Sequence, residues 1–104
     1  MAMQPGPPGV PAAPNRSEIK ARVLGVEQSS TFPDKWYADL EILESKSLDG
    51  PNFARVGEEA KGFTFGSTFD VSAGSVIAAE AEFLGDAGGG EFRLSRIKVV
   101  DQPG

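Results

Sequence analysis

Alternate carboxylates stand at two places in this chain, Asp39 with Glu41 and Glu80 with Glu82. Such pairs are the minimum equipment for gripping a divalent cation or for dividing acid and base work between two side chains. The same spacing is what the solvated face of a strand produces. Histidine and cysteine are both absent. That removes the usual third metal ligand, the thiol nucleophile, disulfides, and the one side chain that titrates near neutrality. The glycine-rich GDAGGG at 85–90 has neither the lysine nor the following helix of a phosphate-cradling loop, which leaves it as a turn. These residues point to a non-enzymatic protein with no metal and no cofactor.

The elements that must position the side chains are short runs of period-two alternation, separated by clusters of Gly, Ser, Asp, Asn and Pro. EIKARVLGVEQ sets Ile19, Ala21 and Val23 against Lys20 and Arg22, then changes phase around Gly25 to Leu24 and Val26, as at a bulge. KWYADLEILES alternates Trp36, Ala38, Leu40 and Ile42 against Tyr37, Asp39 and Glu41. AKGFTFG puts Phe63 and Phe65 on one face, with Lys61 in line. SVIAAEAEFL turns Ile77, Ala79, Ala81 and Phe83 inward and Glu80 and Glu82 outward. EFRLSRIKVV carries Phe92 and Leu94, changes phase near Ser95, and resumes with Ile97 and Val99. Helix formers in VIAAEAEFL compete with this reading. The flanking glycines and β-branched residues decide for strand. GSTFDVSAG, between the third and fourth runs, fits a turn or a single helical turn capped by Ser67 or Asp70.

Folding is expected from residue 17 to residue 100, as one domain. The first 15 residues hold five prolines, two glycines and no charge, so 1–16 is expected to be a disordered proline-rich segment, and 101–104 a polar tail. PGPPGVPAAP has PxxP spacing but no arginine in register, which favours a tether over a ligand for an aromatic groove. No apolar run is long enough for a membrane helix, and no secretory leader is readable, so a cytoplasmic location without a membrane partner is expected. A net charge of −5 disfavours unspecific attraction to phosphate or anionic lipid.

Five strands in the order long, long, short, connector, hairpin resemble the OB-fold, a Greek-key barrel named for oligonucleotide and oligosaccharide binding. The resemblance spans about residues 17–100. It is carried by the bend at Gly25, the connector GSTFDVSAG and the hairpin from AGSVIAAEAEFLG to GGGEFRLSRI. It implies that strands one and four pair, that strand five closes against strand three, and that ligand lies across strands two and three between the 1–2 and 4–5 loops. On that surface Tyr37, Phe32 and Phe65 would stack bases, with Phe53 as a further ring, while Lys35, Arg93 and Arg96 would meet phosphates. Two alternatives stand beside this. Phe32 and Phe53 could plug the barrel ends, and the arginines could pair with Glu80 and Glu82 across the hairpin. The ligand implied is single-stranded nucleic acid. An acidic protein-interaction module is the other reading, and carbohydrate is not separable from nucleic acid by residue types.

Overall fold

A computed structural model describes residues 14–86 and 89–101. The chain is all-β: β1 (Arg16–Gln28), β2 (Lys35–Asp49), β3 (Glu59–Phe65), β4 (Val76–Asp86) and β5 (Gly89–Asp101). The strands close into a barrel in the order β1-β2-β3-β5-β4, with β4 returning to β1. All neighbours are antiparallel except β3 and β5, which run parallel and share only two register pairs, Gly62 with Phe92 and Phe63 with Arg93. β1 begins at Arg16, one residue before the expected start, and β5 runs one residue past the expected end. Asn15 also belongs to the fold. Its side-chain amide donates to the Phe83 carbonyl at 3.1 Å and its carbonyl accepts from the Phe83 N–H at 2.8 Å, standing in for one more rung of the β1–β4 ladder. The expected proline-rich segment lies, except for its last three residues, outside the described residues.

Alternation fills the barrel. Ile19, Ala21, Val23, Ala38, Leu40, Ile42, Ile77, Ala79, Ala81, Phe92 and Leu94 form the core. The small residues are there because the interior is tight. Gly62 faces inward, and a Cβ at that position would stand 2.8 Å from Leu94 Cδ1 and 3.3 Å from Leu40 Cδ1. The phase change in β1 is a bulge: Val23 pairs with Leu40 and Gly25 with Asp39, which leaves Leu24 extra and exposed while Val26 returns to the core side. β1 stops pairing with β4 at Arg22, just before that bulge, so the bend is where one strand changes from two partners to one. In β5 the irregularity falls where Ala78 faces Lys98 and Glu80 faces Ser95, and there Arg96 takes a left-handed φ of 52°.

The β3–β4 connector is a turn and not a helical turn. Phe69 and Val71, two residues apart, both pack against the core, which extended chain permits and one helix face does not. It is tied down at both ends. Gly66 donates its N–H to the Asp34 carbonyl and accepts from the Trp36 indole, while Gly74 and Ser75 exchange backbone hydrogen bonds with Val23. Trp36, expected to face inward, is half-buried at this end of the barrel, where the indole N–H needs and finds a carbonyl.

Candidate functional site

The outward faces of β2 and β3 meet through the register pairs Lys35 with Phe65, Tyr37 with Phe63, and Asp39 with Lys61. Because Ala38 and Gly62 face the interior, Tyr37, Phe63 and Phe65 must lie on the outside. Phe63 is nevertheless only 7% exposed and is not among the residues of the inner core cluster. It is covered from outside. The Phe65 ring meets it edge-on at 5.9 Å between centroids, and the Lys35 ammonium lies 4.5 Å from its centre.

Lys35 is the hub of this layer. Its ammonium also lies 5.0 Å from the Tyr37 ring and 5.9 Å from Phe65, with Lys61 on the Tyr37 ring at 5.5 Å. Each such contact contributes about 0.5–1 kcal/mol at an exposed site. A long ion pair at 3.9 Å to Glu91 leaves the Lys35 side chain 16% exposed. Phe65 is 54% exposed and Tyr37 half-buried, so both still present ring surface to solvent.

Phe32 stands at the Lys35 end of this face, in the β1–β2 loop. At 55% exposure it is not a plug. The loop beneath it is held: the Phe32 and Thr31 N–H groups donate to Ser29 Oγ, the Lys35 N–H donates to the Phe32 carbonyl, and Gln28 donates to the Pro33 carbonyl. Phe53, in the β2–β3 loop, is 36% exposed and lays its ring against the barrel end. It stacks on Phe83 at 5.0 Å, and its loop is anchored by Asn52, which accepts from Ser17 and the Ala54 N–H and donates to Ser45.

The two arginines separate. Arg93 is in register with Phe63 on one side and Glu82 on the other, at the border of the aromatic layer. Arg96 lies beyond the last β3–β5 pair and is held toward β4 by Glu80 at 3.3 Å. Arg16 reaches the same carboxylate at 3.6 Å. The remaining bases of β1 are also engaged, Lys20 with Glu44 at 3.1 Å and Arg22 with Glu41 at 2.9 Å. These exposed pairs contribute little stability, about 0–1 kcal/mol each, but they fix where positive charge is available. Among the described residues no ion pair engages Lys61 or Arg93 at the aromatic layer, nor Lys46, Arg55 or Lys98, whereas Lys35 is shared with Glu91. The alternate carboxylates are thereby placed as well: Asp39 faces Lys61, Glu41 holds Arg22, and Glu80 receives two arginines. No group of three His, Cys, Asp or Glu side chains able to hold a metal ion occurs among the described residues. Nor is any helix there long and apolar enough to cross a membrane.

Two members of this face, Phe63 and Lys61, are absent from the expected ligand set, although the alternation in AKGFTFG aligns both with Phe65. What the alternation does not reveal is that Phe63 is the buried foundation of the layer. No protein-family model matches the chain, and no curated protein matches it.

Proposed function

We propose that this chain is a non-catalytic binding module of OB-fold type that takes single-stranded nucleic acid across the outer face of β2 and β3. The observation that carries the reading is the second aromatic layer. Phe63 is buried on the outside of the barrel beneath Lys35, Tyr37 and Phe65, with Phe32 exposed on the neighbouring loop. A strand exterior does not need rings merely to be soluble, and rings with ammonium groups among them suit bases and phosphates together. The strand order supports the OB comparison, since β4 pairs with β1 and β5 closes in parallel against β3. Phe32, Phe65 and Tyr37 offer stacking surface. Lys35, Lys61 and Arg93 supply the cations, and Arg96 stands apart from the layer.

A salt titration tests this. Three cations meeting phosphates give a log–log dependence of affinity on salt with a slope of about −2 for a single strand. Fluorescence anisotropy of labelled single-stranded DNA and RNA should show that slope. Absence of binding at low salt would remove nucleic acid as the ligand and favour the second reading, a protein-interaction module. That alternative draws on the net charge of −5 and on the exposed Val56, Leu48 and Phe53 at the β2–β3 turn.

A further inference from the structure

A pocket of about 220 Å³ lies where the β1–β2 loop meets the outer face of β2, lined by Glu27, Gln28, Ser29, Ser30, Thr31 and Tyr37. Glu27 is the only charged residue of that lining, and no ion pair engages its carboxylate among the described residues. The loop wall is arranged in advance. Ser29 Oγ accepts from the Thr31 and Phe32 N–H groups, the Gln28 amide donates to the Pro33 carbonyl at 2.6 Å, and the Ser29 N–H donates to the Lys35 carbonyl at 2.8 Å. Register then places the pocket at one end of a row. Glu27 stands opposite Tyr37, Tyr37 opposite Phe63, and Phe63 beside Arg93, so one line across the outside of four strands runs from a carboxylate over two rings to a guanidinium. The ammonium groups near Tyr37 lie on the far side of that ring from Glu27: Lys35 also covers Phe63 at 4.5 Å, and Lys61 belongs to β3.

We infer that this pocket reads the Watson–Crick edge of the base stacked on Tyr37 and prefers guanine there. The inference rests on the nucleic-acid reading and adds a specificity-determining residue, Glu27, to it. Orientation comes from the charge gradient along the row. Phosphates are drawn toward Lys61 and Arg93 and repelled by the carboxylate at the other end, so a base lying on Tyr37 turns the edge remote from its backbone toward Glu27. Preference comes from donors and acceptors. A carboxylate accepts through two oxygens side by side, and guanine presents two adjacent N–H donors on that edge, at N1 and at the N2 amine, which allows two parallel hydrogen bonds. No other standard base offers that pair. Adenine and cytosine set a bare ring nitrogen beside their amine, and thymine and uracil flank a single N–H with carbonyls, so each opposes an acceptor to an acceptor.

Short oligothymidines carrying one central guanine, one central inosine or neither, titrated by anisotropy at a single low salt concentration, test this. The parent should bind the guanine strand about tenfold tighter than plain oligothymidine. Inosine lacks the N2 amine and should lose most of that gain. Glu27→Gln, an exposed change, replaces one acceptor oxygen with a donor and should bring the ratio near one. It should leave oligothymidine affinity equal or higher, since lost negative charge favours any strand. Phe65→Ala should weaken all three ligands alike and preserve the ratio. Equal affinities for guanine and plain strands in the parent, inosine binding as tightly as guanine, or a preference that survives Glu27→Gln would overturn the inference and leave the face intact. Binding of none of the three would overturn both.

Discussion

A chain carrying Tyr37→Ala together with Phe65→Ala should bind single-stranded nucleic acid at least about thirtyfold more weakly than the parent. Each base stacked on an aromatic ring contributes about 1–3 kcal/mol, and every 1.4 kcal/mol is a factor of ten. The loss falls on binding because of where the rings are. Phe65 is 54% exposed, and both rings sit outside the barrel, in register with Lys35 and Phe63 rather than with the core. Truncation should also lower the unfolding free energy by about 2 kcal/mol, since three cation–π contacts and the edge-on contact with Phe63 are lost with the rings. Anisotropy titrations and urea midpoints measured on the same samples read both quantities. Unchanged affinity in the double variant would remove the stacking assignment and leave the fold untouched.

Leu40→Ala should do the opposite, costing stability of about 2–5 kcal/mol, because the site cannot collapse around the missing atoms. Leu40 is fully buried. Its neighbour across the β2–β3 ladder and its contact at Gly62 are Ala60 and a residue with no side chain, and Leu94 already fills the space that a Cβ at Gly62 would take. Against a typical total of 5–15 kcal/mol, that loss is a large share for a small barrel with no disulfide. Urea denaturation measures it, and a change below about 1 kcal/mol would contradict a core centred on Leu40 and Leu94.

The contrast between these two positions shows how far alternation carries. Trp36 to Ile42 announces an inner and an outer face without any tertiary information, since side chains reverse at every residue. Leu40 goes inside and Tyr37 outside on that ground alone. Gly25 and Ser95 mark real irregularities for the same reason: a break in phase forces an extra residue into the ladder. Turn chemistry and termini are less legible. Arg16 and Asn15 adjoin a run of prolines and carry no apolar pattern, yet Asn15 is buried because its amide can imitate a backbone rung, a match visible only once β1 lies beside β4. Helical and extended forms of GSTFDVSAG differ in whether Phe69 and Val71 share a face, which depends on the core they meet.

The site follows the same division. Tyr37, Phe65, Lys35 and Phe32 come into one region because pairing and loop position are implied by strand order. Arg93 and Arg96, three residues apart on β5, look equivalent in sequence. They part because a bulge lies between Glu80's partner Ser95 and Lys98, and because Glu80 is near enough to hold Arg96. The Phe53–Phe83 stack joins residues far apart in the chain, and no local pattern connects them.

The claim that the ligand face is the outer surface of β2 and β3 is tested most directly by mapping backbone amide shifts in nuclear magnetic resonance spectra while a short single-stranded oligonucleotide is added. The perturbed amides should cluster at Phe32, Lys35, Tyr37, Lys61, Phe63, Phe65 and Arg93. Shifts confined to the β1–β4 side around Lys20, Arg22 and Glu80, or no shifts at all at low salt, would contradict it.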